Sequence, residues 1–553
     1  MASTPSISEQ QAFPVLDVPQ IARLRAFGTV KDTHPGEVLF DVGECAYSLV
    51  VVLEGATDIV DRANADHVLK THGPGEFNGE LGLLTGQSAF TACIISKPGK
   101  VLIVPPAGVH EIIATIPDLS NILVTAFAAR RQILMLSAVA SLTIIGREED
   151  AEALRLLEFA DRNRIPYRWL DPHNPSDTSA IATCGSPEGD TFRVVLGGRR
   201  TLERPSPLDL ARAIGLDLFR QEGTPSDLIV VGAGPAGLSA AVYGASEGLS
   251  TLVVEDTAIG GQAGTSSRIE NYVGFPAGIS GEDLAFRAEV QAIKFGAHIT
   301  VPRRATALER RDNTYAVRLD DGSVLLGRSI VIATGARYRR LRLRGQEAFE
   351  GAGIYYAATE LEARLCRKRE VVVVGGGNSS GQAAMFLSQY ASCVHLLCRG
   401  SDLAQTMSQY LITRLESTRN VMIELRTEVT EVRGGEMLDG VTIINRSTGE
   451  TRNLGVCGLF VMIGAEPRTG WLRRTVALDE KGFVRTGAAL KTSGDKSDIA
   501  GAAVSPFRTN LPGVFAVGDV RSGSVKRVAS AVGEGSVVVP AIHQHLAACA
   551  KLA

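Results

Sequence analysis

Two stretches of this chain repeat one design, and that design leaves few folds open. DLIVVGAGPAGLSAAVYGASEGLSTLVVEDT (227–257) reads as strand, G-x-G-x-x-G turn, helix and second strand. EVVVVGGGNSSGQAAMFLSQYASCVHLLCRG (370–400) reads the same way. A parallel strand–helix–strand unit of about 30 residues with such a turn is built to seat a dinucleotide. In the first unit Gly232 permits the tight turn. Gly234, between Ala233 and the helix-opening Pro235 and Ala236, lets a pyrophosphate approach the backbone, and Gly237 lets helix pack on strand. The helix N-terminus turns N–H groups toward the phosphates. Glu255, 23 residues after Gly232, ends the second strand where a carboxylate can accept a ribose hydroxyl. In the second unit Gly375 and Gly377 take the first two glycine roles, Asn378 and Ser379 open the helix, and Ser380 replaces the third glycine.

At 553 residues the chain is too long for one core, and two to four domains are expected. A net charge of -3 offers no general attraction to nucleic acid. No apolar run reaches the roughly 18 residues of a membrane span, because Arg130 and Arg131 split the longest candidate. The opening MASTPSISEQQAF lacks the basic and apolar regions of a signal peptide. The eight cysteines (45, 93, 184, 366, 393, 398, 457 and 549) show no CxxC and no metal-ligand spacing. A soluble, cytoplasmic, multidomain protein without a metal is expected.

Residues 14–137 begin with short apolar runs between glycine turns, EVLFDVG, SLVVVLEGATDIV and ACIISKPGKVLIVP, which suggest a small β-barrel or sandwich. A helical stretch follows, with Pro117 marking a break. The order of elements around FNGELGLLTGQSAFTAC resembles a cyclic-nucleotide-binding domain. On that resemblance Gly79 and Glu80 match the pair that meets the ribose, and Ala89 stands where the family carries its phosphate-binding arginine. A phosphate charge left unpaired in a pocket is costly, so cyclic-nucleotide binding is not expected. Residues 138–217 read β-α-β-β-β-α and resemble a degenerate thioredoxin- or glutaredoxin-like domain. Its first strand-to-helix turn, GREEDAEA, lacks the thiol that the family needs there, and Cys184 falls in a Gly/Pro/Ser loop. LFRQEGTPSD (218–227) has linker composition.

GGQAGTSSRIENYVGFPAGISG, IVIATGARYR and GVFAVGDVRSGSVKRVASAVGEG follow the first turn in order, with GGGNSS before the last of them. Together these segments resemble the low-molecular-weight thioredoxin reductases over 227–550. The resemblance implies an α/β flavoprotein with two dinucleotide-binding domains. One would bind FAD (228–339 and 466–553), and NAD(P)H would bind to the other, inserted at 340–465. It further implies that Gly260, Gly261, Gln262 and Asn271 lie along the flavin, with Gly335 beside it. Asp519 would hold the ribityl chain, and Lys526 and Arg527 would replace a flavin-contacting Arg-Gln pair. Arg399 stands where a carboxylate would select NADH, so NADPH is the expected donor; Gly400 and Ala404 occupy the family's other two basic positions. A homodimer is the assembly the family implies.

The same family keeps its redox disulfide in G-[VI]-x-Y-C-x-x-C. Here that frame reads Gly353-Ile354-Tyr355-Tyr356-Ala357-Ala358-Thr359-Glu360, and both sulfurs are gone. Glu360 is a candidate acid near the flavin, and Cys366 a thiol at a helix end with no partner near it in sequence. Three readings stay open. In the first, an oxidoreductase passes electrons from NADPH through FAD to an unidentified acceptor: a ferredoxin-like protein, a quinone or a disulfide on another protein. In the second, a thioredoxin-disulfide reductase uses Cys366 or Cys184. The third is a redox- or ligand-responsive regulator.

Overall fold

The computed structural model describes residues 9–551 apart from 63–65, 138–141, 148, 185–191, 199, 217–223, 267–268, 270–271, 350–351, 357, 359, 473 and 494–504. The front region is an antiparallel roll in the order Thr29–Thr33, Ala92–Val104, Leu49–Asp61, His67–His72. Helices Pro106–Thr115 and Pro117–Ser137 then cover its core. Ile116 between them is extended, as a residue before proline is driven to be. Phe77 meets Phe127 edge to face at 6.2 Å between ring centroids.

His72 is buried in this roll, and its Nδ1 makes no hydrogen bond; the Glu76 carboxylate is too distant at 3.8 Å. Burial, with Arg130 and then Lys70 adding repulsion, pulls the imidazole down to about 3. The unfolded chain therefore binds the extra proton first, at about 6.5. The neutral His72 contributes its full stability above that pH and loses it as pH falls toward 3. The expected loss is on the order of 4 kcal/mol by pH 3, and His72→Gln should flatten that limb in urea titrations.

The middle region holds a four-stranded sheet in the order Arg200–Glu203, Arg193–Leu196, Leu142–Ile145, Arg168–Leu170. The last two strands are parallel and the other pairings antiparallel. Helix Ala151–Arg162 follows the first strand and is capped by the Asp150 carboxylate, which accepts from the N–H of Glu152 at 2.8 Å. The expected order of elements gains one helix, Thr178–Thr183, whose 6 residues are too few to leave a periodic signature. Cys184 is the C-cap of that helix, and residues 185–191 of the loop expected around it lie outside the described residues. Residues 218–223 of the expected linker lie outside the described residues.

The two glycine-turn units form separate sheets, the second parallel and the first parallel apart from an antiparallel edge of Ala305–Arg311 and Thr314–Leu319 on Val324–Ile332. In the first, His298–Thr300, Thr251–Val254, Ser226–Val231 and Val324–Ile332 lie side by side, with Val514–Ala516 joining the far end of Val324–Ile332. Strands such as LIVV and TLVV are apolar on both faces because both are covered: helices such as Pro235–Ser246 pack on one, and the strands Ala305–Arg311 and Thr314–Leu319 with Leu472 and Val484 on the other. In the second, the order is Ile354–Tyr355, Gly458–Val461, Glu370–Val374, Cys393–Cys398, Val421–Leu425. The chain leaves the first unit through Ala336–Tyr338 and returns through Ala465–Pro467, which pair antiparallel as a two-stranded ribbon. Helix Gly281–Lys294 of the first unit sends Phe286, Val290 and Ile293 into the core of the front roll. No described helix is long and apolar enough to cross a membrane.

Candidate active site

A cavity of about 1080 Å3 runs along the carboxyl ends of the first unit's strands. Its floor is the first glycine turn. Gly232 sits at φ 109°, and a Cβ there would lie 2.4 Å from the Ala333 carbonyl. At Gly237 a Cβ would lie 1.8 Å from the Gly232 carbonyl, so only glycine lets the helix Pro235–Ser246 start there. Gly234 is different: the nearest atom to a Cβ would be the Gly261 Cα at 4.0 Å, which leaves an open cradle between two glycines. Such a cradle at a helix N-terminus suits a pyrophosphate. Gly260 and Gly261 hold positive φ of 101° and 55°, and the Gly260 N–H donates to the Ala233 carbonyl at 2.8 Å. Gly335, at φ 63°, also faces open space.

The carboxylate of Glu255 is buried and accepts from the N–H groups of Ala233 (2.7 Å) and Thr257 (3.1 Å). Burial, then the neighbouring Asp256, pushes it up to about 7. Asp256 is ion-paired with Arg468. The Gln262 amide donates to the Ala336 carbonyl, so this residue grips the start of the ribbon. Asp519, in the turn Gly518–Val520, is half-buried, and burial raises its carboxyl while Lys526 opposes the shift. Lys526 lies 4.6 Å from the Phe483 ring centroid, and both it and Arg527 line the cavity. Asn271 lies outside the described residues. The donor set and the cradle fit a flavin dinucleotide.

The second unit reaches the same cavity through Ser379, Gln382 and Ala383, on the helix Asn378–Leu387 that follows its glycine turn. Gly375, at φ 148°, lets the turn pass the Met462 carbonyl, which a Cβ would approach to 2.4 Å. The buried Ser380 hydroxyl donates to the Gly377 carbonyl at 2.7 Å, and the Asn378 side-chain oxygen accepts from the Ser408 N–H at 2.7 Å. Arg399 is exposed at the end of Cys393–Cys398 and lies away from the cavity wall. The site thus brings the first-unit residues together and leaves Arg399 at the outer edge of the second.

One wall was not legible in the sequence. Helix Ala151–Arg162 of the middle region contributes Leu154, Arg155 and Glu158 to the cavity. It is moored by Asn163, whose amide donates to the Thr257 carbonyl at 3.2 Å. On another side stand Tyr355, Tyr356 and Ala358, where the missing disulfide would lie, followed by Leu365. Among the described residues no cysteine lines the cavity. Glu360 begins the helix Glu360–Leu365, but its side chain lies outside the described residues. Cys366 is buried beyond the wall, in the same apolar cluster as Cys457.

In the front roll Gly79 and Glu80 are occupied by the protein itself. Arg131 places Nε 2.9 Å and Nη2 2.7 Å from the Glu80 carboxylate, and Tyr47 donates to it at 3.1 Å. Arg130 donates to the Gly79 carbonyl at 2.7 Å. Ala89 is buried. The signal was present in the sequence, since two arginines inside an apolar helix must find buried partners.

This chain belongs to the pyridine nucleotide-disulphide oxidoreductases, whose family model matches residues 226–535. It is an NAD(P)H-dependent flavoprotein oxidoreductase of thioredoxin-reductase-like type, with a cyclic nucleotide-binding domain matched at residues 30–115. It is 33% identical to a thioredoxin reductase of Mycolicibacterium smegmatis over 320 residues, 56% of this chain and 94% of that protein. It is also 31% identical to a thioredoxin reductase of Streptomyces clavuligerus over 325 residues, 59% of this chain and 95% of that protein. Among solved structures it is similar to the thioredoxin reductase of Lactococcus lactis, with a TM-score of 0.52 at 27% identity, covering 58% of this chain and 99% of that one.

Proposed function

We propose that electrons from a reduced nicotinamide enter FAD in the 1080 Å3 cavity and leave for an acceptor without passing through a disulfide in segment 353–360. The observation that carries this reading is one continuous cavity, bounded by both glycine-turn units and lined by no described cysteine. Bound FAD supplies two-electron exchange with the nicotinamide. The chain's own residues bind and orient it. Gly234 and Gly261 flank the pyrophosphate beside the helix N-terminus, Glu255 accepts ribose hydroxyls, and Asp519 takes the ribityl chain. Helix Ala151–Arg162 keeps water from the open side. Anaerobic mixing of holoprotein with NADPH should bleach the flavin absorbance; a spectrum unchanged after long incubation overturns the reading.

NADPH is the proposed donor, because Arg399 is exposed and makes no ion pair among the described residues, free to meet a 2′-phosphate. Arg399→Glu should raise KM for NADPH by about 10- to 100-fold, the worth of a charge-assisted contact, and leave KM for NADH within about 2-fold. Equal effects on both donors would remove Arg399 from the site. The acceptor is a small molecule or a small redox protein, and a homodimer is the proposed assembly. The free thiols among the described cysteines support a reducing, cytoplasmic setting. The front roll is proposed to bind no cyclic nucleotide, since Arg131 already satisfies Glu80 and Ala89 offers the phosphate no charge.

A further inference from the structure

We infer that Arg164 is a positioning residue for the flavin site: it ties the front roll and the middle region to the helix end on which the cavity loop 260–266 rests. The inference stands on the reading that FAD occupies the cradle between Gly234 and Gly261. Arg164 is buried in the turn after helix Ala151–Arg162. Its carbonyl accepts from Arg131 Nη1 of the front roll at 3.3 Å. Its side chain meets the first turn of helix Gly281–Lys294, with Nε 3.2 Å from the Glu282 carboxylate and Nη2 3.2 Å from that of Asp283. The guanidinium also stands 4.2 Å from the Phe286 ring centroid. One residue thus joins all three regions, through a planar fork that fixes direction as well as distance.

The helix that Arg164 holds is the support of the loop. Its cap is Ser280, whose hydroxyl accepts from the Asp283 N–H at 2.9 Å. The Gly281 N–H donates to the Ser266 carbonyl at 2.8 Å, and a Cβ on Gly281 would lie 1.6 Å from the Ala263 carbonyl. The helix start therefore abuts the loop with no slack. Gly261, Gln262, Ala263, Thr265 and Ser266 of that loop line the cavity, and a Cβ on Gly261 would lie 3.0 Å from the Gly234 Cα. Further along the same helix, Phe286, Val290 and Ile293 are packed in the core of the front roll. Close-packed interiors transmit displacement, so a shift of the first turn carries into the loop and the cradle. Without the Arg164 fork that turn is free to shift, and the cradle loses its fit to the pyrophosphate.

The test titrates full-length apoprotein with FAD and records the visible circular dichroism of the reconstituted protein. Arg164→Gln should raise the flavin Kd by about 10-fold and change the dichroism of the bound flavin. Arg164→Lys keeps the charge without the fork and should recover only part of the affinity. Glu282→Gln with Asp283→Asn alters the other end of the contact at more exposed positions, and should reproduce the loss even where an Arg164 variant folds poorly. The three substitutions together should cost no more than either set alone, the mark of one shared contact. Wild-type affinity and dichroism in both sets overturn the inference, as do losses that multiply when the sets are combined. A wild-type chain that takes up no FAD removes the reading of the cavity, and the inference with it.

Discussion

Arg131→Ala should lower the unfolding free energy by about 3–5 kcal/mol, because it strands a buried carboxylate. Arg131 is fully buried, with two contacts to Glu80, one to the Gln87 side-chain oxygen at 2.8 Å and one to the Arg164 carbonyl at 3.3 Å. Truncation leaves Glu80 with only Tyr47 and the Gly82 N–H. For a unit of this size the thermal midpoint should fall by roughly 10 °C. Arg131→Met with Glu80→Gln removes both charges together and should restore most of the loss. A single variant within about 0.5 kcal/mol of wild type in urea titrations would show that the ion pair does not hold the roll closed. Saturating cyclic AMP should leave the wild-type midpoint unmoved, since a ligand stabilises only a site that it can enter.

Two glycine variants should fail in opposite ways. Gly237→Ala drives a methyl group to 1.8 Å from a carbonyl, so the helix must shift. The purified protein should be nearly colourless, with flavin content down more than about 10-fold and stability down by about 3 kcal/mol. Gly234→Ala meets no protein atom closer than 4.0 Å and has an ordinary φ of -73°, so the apoprotein should unfold as wild type does. Its methyl group instead enters the cradle, and flavin affinity should drop by about 10- to 100-fold in reconstitution titrations. Wild-type affinity for Gly234→Ala would move the pyrophosphate elsewhere.

The parts of this site that were readable in advance are local ones. Gly232, Gly237 and Glu255 fall within one strand–turn–helix–strand unit, where chain geometry alone fixes what each residue does. The helix Pro117–Ser137 and its break at Pro117 follow equally from local sterics. What escaped is long-range. Arg131 meets Glu80 across 51 residues, and nothing in the spacing reveals the pair. Helix Ala151–Arg162 announced itself as amphipathic, but a periodic pattern does not say that its exposed edge will close another domain's cavity. The helix Thr178–Thr183 was too short for any period to register.

That borrowed wall changes what trimming the gene would do. A polypeptide begun at residue 224 would keep every glycine of both turns yet lose Leu154, Arg155 and Glu158, leaving one flank of the cavity bare to solvent. Dioxygen would then compete for the reducing equivalents. Such a fragment should oxidise the reduced nicotinamide faster than the full chain does with no acceptor added.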